Sequence, residues 1–296
     1  MTPTAKQLPA WVDQLRNLLN KNMKENKDLI SYALATQGPE RQPRVRYVVH
    51  RGFVNERRKE GDGSQNLVAD DDKNDLISDK LVVTTDTRSP KARQLAAAPQ
   101  IELAWWMAAT QHQFRVVGNA YILPSSAFTK HDSSEPRTTG NDGANTSSDK
   151  ISFPFPEKEL SPYDGFNWED ERIRQFRKMS PELRASFYRP VPGTDLQDAD
   201  LKMEDLPEKL PEGVEEAESE EQKKQVEQGL SLRQDRYLLR SPQLMSYYTA
   251  ALKNFALIVI DASEVDLVDL GSMPNTRTQW LRKRDAADWE EKGVVP

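Results

Sequence analysis

The chain has 296 residues, with 41 Lys and Arg against 47 Asp and Glu, a net charge of -6 and no cysteine. The modest negative balance argues against nucleic acid as the main partner. The lack of cysteine excludes disulfides, thiolate nucleophiles and cysteine-based metal sites, and it fits a reducing compartment. No apolar run approaches the ~20 residues needed to span a bilayer, and the first residues lack the apolar centre of a signal peptide. A cytoplasmic protein with no membrane partner is therefore expected. The charged share, 30%, is high and the apolar share, 36%, is low, an imbalance concentrated in the middle of the chain.

In chain order, Pro9 and the spacing of Trp11, Leu15, Leu18 and Leu19 predict an amphipathic helix over about residues 10–20. Ser31–Thr36 reads as a short strand, followed by a turn with Gly38 and Pro39. Arg44–Phe53 is a stronger strand, in which β-branched and aromatic residues interleave with arginines. Asn55–Lys80 is polar and charged and is expected to be a long exposed loop, partly disordered. Leu81–Thr85 is the next strand. Ser89 to Ala98 reads as a helix, with Ser89 at the cap, Pro90 at the first position and Pro99 past the end. Ile101–Met107 is dense enough in apolar residues to predict a strand buried on both faces. In the strand Gln113–Leu123, Gly118 marks a bulge or bend of the kind barrels use at corners.

The composition then changes. Ser125–Lys150 is low in complexity, with little to bury. Trp168 to Tyr188 looks helical, with Ile173, Phe176, Leu183 and Phe187 as its apolar positions. Asp198–Glu227 holds roughly a dozen acidic residues against about four lysines and is expected to be a solvated linker, or else an acidic interaction segment. Order is expected again near Tyr237. Asn254–Asp261 is a strand of high β-propensity, Val265–Leu270 alternates, and Thr278–Lys283 pairs with Trp289–Val294 as a closing hairpin. About eight strands with few helices between them rule against a Rossmann sheet. Antiparallel closure into a small barrel with peripheral helices is the economical solution.

Four groups of residues have chemistry to offer. Arg46 and Arg51 flank Val48 and Val49, and guanidinium suits phosphate. They lie five positions apart, so they face opposite sides of a regular strand and meet one ligand only near a bend or strand end. Surface arginine is the plainer reading of that segment. Thr84-Thr85-Asp86-Thr87-Arg88-Ser89-Pro90-Lys91 runs from a strand end into a capped helix start, a ready anion site, or else an ordinary cap. Gln113 and Arg277 mean little in isolation. His50, His112 and His131 are dispersed and lack metal-ligand spacing, so no metal is expected. No G-x-S-x-G, P-loop or G-x-G-x-x-G occurs.

The order of these groups resembles the pyridoxamine 5'-phosphate oxidase-like FMN-binding split barrel, and more narrowly its Alr4036-type branch. The matching pieces are an N-terminal amphipathic helix, R-Y-V-V-H-R-G-F, T-T-D-T-R-S-P-K, paired tryptophans, H-Q-F-R-V-V-G-N-A and V-D-L-V-D-L-x(4)-N-T-R-T-Q-W-L. The resemblance covers roughly residues 8–123 and 237–296. It implies one FMN-binding domain over 1–296, interrupted by a partly disordered insertion at 124–236. It places Arg46, Val48, Val49 and Arg51 on an FMN-contacting strand and Thr84 and Thr85 beside the flavin ring and ribityl chain. Ser89 and Lys91 match phosphate contacts, with Arg88 standing in for an arginine that the oxidase carries after the serine. Gln113 matches a residue reaching the flavin from a neighbouring strand or a partner subunit, and Arg277 a C-terminal arginine near the flavin. Departures at Pro90, Val268 and Asn275, and the absence of a recognisable substrate-phosphate segment in 124–236, weaken the case for pyridoxamine phosphate oxidation and leave FMN binding intact. The resemblance implies an FMN-dependent oxidoreductase acting on a small molecule, with the flavin at the interface of a homodimer. The alternative is a flavin- or haem-binding protein without turnover.

Overall fold

A computed structural model describes residues 8–26, 29–56, 76–126, 151–197, 206–211, 242–283 and 288–296. The greater part of the expected loop at 55–80, the low-complexity stretch, His131 and most of the acidic segment lie outside the described residues. Eight strands form one antiparallel sheet: β1 (Ser31–Gln37), β2 (Pro43–Phe53), β3 (Leu81–Asp86), β4 (Gln100–Met107), β5 (His112–Leu123), β6 (Phe255–Asp269), β7 (Thr276–Arg282) and β8 (Trp289–Val294). Their order is β3-β2-β1-β4-β5-β6-β7-β8, and a further β3–β6 pairing closes six of them into a barrel. This is the antiparallel split barrel expected from the sequence.

The strand β6 serves two structures in succession. Its first half closes the barrel, from Phe255 opposite Asp86 to Ile260 opposite Leu81. Its second half leaves the barrel and carries β7, from Glu264 opposite Leu281 to Asp269 opposite Thr276. The partner strand β5 follows both halves, with a register shift between Val117 and Gly118. Only glycine fits there, because a Cβ on Gly118 would lie 2.2 Å from the Asp261 carbonyl oxygen.

Helix α1 (Ala10–Glu25) stops the barrel mouth with Trp11, Val12, Leu15 and Leu19. The Trp11 ring lies 5.9 Å from Phe53 and 5.7 Å from Trp289. The interior is filled by alternate residues, including Tyr32, Leu34, Trp105, Phe114 and Ile258. His50 belongs to this packing, 5.0 Å from the Trp105 ring. The expectation that β4 is buried on both faces is wrong: its residues alternate strictly, with Trp105 inside and Trp106 47% exposed. The doubly buried strand is the first half of β6, where six consecutive residues from Phe255 to Ile260 are buried. The same apolar density therefore has two outcomes, set by what covers the outer face.

That cover comes from the chain's middle. Helices α3 (Glu157–Leu160), α4 (Trp168–Arg177), α5 (Pro181–Ser186) and α6 (Pro242–Asn254) form a layer on the barrel wall. Phe176, Phe187, Tyr248 and Ala251 pack with Val82, Phe255, Leu257 and Val259 in a second core. The buried Arg172 fastens the layer, donating to the Leu252 and Phe255 carbonyls at 2.8 and 3.1 Å while paired with Glu169. The single helix read over 168–188 is two helices, because Ser180 caps a new one at Pro181. Helix α6 was not foreseen at all. Within the expected linker, Leu210 is buried and exchanges backbone and side-chain hydrogen bonds with Pro181 and Arg184. Among the described residues no helix is long and apolar enough to cross a membrane.

Candidate functional site

Strand β3 ends in Thr84, Thr85 and Asp86, and two residues later Ser89 caps α2 (Pro90–Ala97). The Ser89 hydroxyl accepts from the Ala92 N–H, as its position before Pro90 predicts. Thr85 Oγ1 lies 3.2 Å from Ser89 Oγ and accepts a hydrogen bond from Lys91 Nζ. Pro90 has no N–H and Ala92 is taken by the cap, so the Lys91 N–H is the first-turn donor with no acceptor inside the helix. From β2, the Arg46 guanidinium donates to Thr36 Oγ1 at 2.6 Å and Gln94 Oε1 at 2.7 Å, and to the carbonyls of Leu34 and Arg44. Every one of these acceptors is neutral.

These elements form one side of a groove of ≈ 850 Å³. Its other side is the strap that follows α5, including Phe187, Arg189, Pro190, Val191, Pro192, Thr194 and Leu196. Burial, with Arg46 adding to it and Asp86 opposing, pulls the Lys91 ammonium down from 10.5 to about 8. The acidic Asp86 is already committed, because its two oxygens take Arg88 Nε at 3.0 Å and Nη2 at 2.7 Å. The groove is thus a cationic cradle whose one acid, Asp86, is already paired with Arg88.

Of the residues singled out in the sequence, Arg46, Val48, Val49, Arg51, Thr84, Thr85, Ser89 and Lys91 all line this groove. The parity problem between Arg46 and Arg51 is met where β2 shifts register against β3 between His50 and Phe53. Arg88 does not line it. Besides gripping Asp86, its Nη2 donates to the Phe187 carbonyl at 3.1 Å and the Arg189 carbonyl at 2.9 Å. It fastens the strap to the turn. Gln113 and Arg277 are also elsewhere, both in register with Val268. Thr85 is in register with Ala256, so Gln113 and Arg277 lie twelve positions further along β6, a contour of roughly 40 Å. Arg277 is held there by Asp266, at 2.9 Å from Nε and 2.6 Å from Nη2. Burial pushes the Asp266 carboxyl up, but hydrogen bonds from Arg277 and Arg115 outweigh it and hold the group below its usual range. Tyr47 and the strap are groove residues that sequence reasoning passed over. The run Arg189-Pro190-Val191-Pro192-Gly193 was the available signal, since two prolines stiffen a segment that a spacer would leave loose.

The groove adjoins a mainly apolar outer face. Tyr47 (79% exposed) and Val45 (70%) on β2 stand beside Ala33 and Ala35 on β1, then Glu102, Ala104 and Trp106 on β4, then Val117 on β5. Tyr47 belongs to both the face and the groove.

No curated protein matches this chain. Among solved structures, it is similar to a pyridoxamine 5'-phosphate oxidase-related, FMN binding protein from Nostoc punctiforme PCC 73102. The TM-score is 0.57 at 19% identity, over 98% of this chain and 99% of the other. It is also matched to PhzG from Burkholderia lata 383, with a TM-score of 0.46 at 12% identity over 99% and 100% of the two chains. Residues 8–124 match the family model described as the FMN-binding domain of pyridoxamine 5'-phosphate oxidase, a span that contains every groove residue contributed by the barrel wall.

Proposed function

We propose that the chain binds FMN in this groove and acts as an FMN-dependent oxidoreductase of the pyridoxamine 5'-phosphate oxidase-like type, within the Alr4036-type branch its motifs resemble. The observation that carries the reading is the cradle of Thr85, Ser89 and Lys91 at the start of α2, beside Arg46. Its donor set fits a phosphate dianion. Lys91 and the helix start supply charge and N–H donors, Ser89 and Thr85 supply hydroxyls, and the groove volume is in the usual range for small-ligand sites. A bound anion favours the charged form of Lys91, offsetting the burial that lowers its pKa. FMN, when bound, supplies hydride or electron transfer. The protein's own residues hold the phosphate end through Lys91 and Ser89, and the strap shields the groove from water.

The same reading makes the protein a homodimer. The face running from Val45 to Val117 is mainly apolar, interrupted by Glu102 between Ala35 and Val117, and it is shared with the groove at Tyr47. Two-fold closure on it buries the same patch twice. It also offers a use for Gln113 and Arg277, which are too far along β6 to serve their own groove and which the partner's groove would receive. Light scattering should report a dimer for the FMN-loaded protein at micromolar concentration. A monomer that holds stoichiometric FMN refutes the interfacial site. Reconstitution with FMN tests the cofactor itself: one equivalent per chain is expected, and Lys91→Ala should lose most of it.

A further inference from the structure

The two sides of the groove differ in chemistry, and the difference identifies a second occupant. The barrel side is polar and cationic. The strap side is apolar, and its large side chains face open space: Leu183 is 36%, Val191 39% and Leu196 83% exposed. Exposed apolar side chains scattered singly need no explanation, but three on one groove wall mark a surface meant to be covered. We propose that residues 183–196 form a chamber beside the cofactor for a small apolar organic anion, and that Arg189 reads its negative charge. The inference rests on the FMN reading above and names the class of molecule that shares the groove.

Charge balance supplies the sign of the occupant. Leaving Arg51 aside, the groove is lined by Arg46, Lys91 and Arg189 against one acid, Asp86, which is closed off in its two-point pair with Arg88. A phosphate monoester carries about -1.5 to -2 at neutral pH and so balances no more than two of those three cations. The remainder favours a second negative charge in the same low-dielectric groove and disfavours a positive one. Arg189 is the cation placed among the apolar residues. It is exposed, and no ion pair joins it to a described residue. Its backbone is fixed at both ends: its N–H donates to the Ser186 carbonyl and its own carbonyl accepts from Arg88. A planar guanidinium on a fixed base suits a carboxylate, which it can engage at two points.

The test uses the full-length FMN-loaded protein and three probes of one shape, benzoate, benzamide and benzylamine, read by the change in flavin absorbance and by calorimetry. Benzoate should bind at least about tenfold more tightly than benzamide, the effect of one charged hydrogen bond, and benzylamine should not bind. In FMN-loaded protein, Arg189→Ala should remove that preference, and Arg189→Lys should restore part of it. FMN uptake with equal binding of benzoate and benzamide, or with no probe binding, overturns this inference alone. So does an Arg189→Ala protein that keeps the preference. A protein that takes up no FMN overturns the cofactor reading and this one together.

Discussion

The two sides of the groove are built on different principles. The barrel side consists of paired strands and a capped helix, so Thr84 and Thr85 are positioned by a backbone ladder and Ser89 by its cap hydrogen bond. The strap has no ladder. It is held at its start by Arg88 and by Asn254, whose Nδ2 donates to the Phe187 carbonyl at 2.9 Å, and beyond that by one turn between Val191 and Thr194. A side fixed by the fold suits a ligand that never changes, such as a cofactor phosphate. A side fixed by a few bonds can vary in sequence without disturbing the barrel, which is how loops come to carry specificity.

The contrast is sharpest where the two regions meet. Phe255 is fully buried, begins the barrel-closing half of β6 and packs on Phe176 at 5.1 Å and Phe187 at 5.2 Å. Phe255→Ala should destabilise the protein by about 4 kcal/mol. Urea unfolding should show barrel and layer lost in one transition, and two separated transitions would show that the layer is an independent unit.

Lys91 tests the cofactor side. Lys91→Ala should weaken FMN binding by ~1–3 kcal/mol, the scale of a charged hydrogen bond. The pH dependence has a definite sign. Burial holds folded Lys91 at about 8, below the 10.5 of an ordinary lysine. Between those values the unfolded chain keeps a proton that the folded chain has shed, so FMN-free protein should become more stable as pH rises through that window. FMN affinity should fall over the same range as the ammonium is lost. Thermal melts of Lys91→Met should lack this component, and an unchanged pH profile would remove Lys91 from the account.

Arg88 tests the strap. Arg88→Ala should reduce stability by about 1 kcal/mol and raise amide hydrogen exchange across residues 187–197, with FMN affinity altered far less than in Lys91→Ala. An equal loss of FMN affinity in the two variants would mean that Arg88 acts on the phosphate after all, as its place in the motif first suggested.

The sequence revealed what local rules govern. Ser89 before Pro90 announced a helix cap and Gly118 a bend. It failed where an outcome depends on distant chain. The burial of β6 and the exposure of one face of β4 are decided by the helical layer, whose segments are remote in sequence. Arg88 looked like a phosphate ligand because its motif is cationic, and only the fold shows that Asp86, two residues before it, and the strap, a hundred residues on, claim its guanidinium. The strap was overlooked because its residues are rich in proline and carry no strand or helix pattern.

The central claim is that the Thr85–Ser89–Lys91 cradle binds the phosphate of FMN. Equilibrium dialysis of the purified, flavin-stripped protein against FMN and against riboflavin, which lacks the phosphate, tests it directly. The account predicts about one FMN per chain and binding of riboflavin weaker by at least about tenfold, with Lys91→Ala erasing most of that difference. Equal affinity for the two flavins, or no uptake of either, would contradict it.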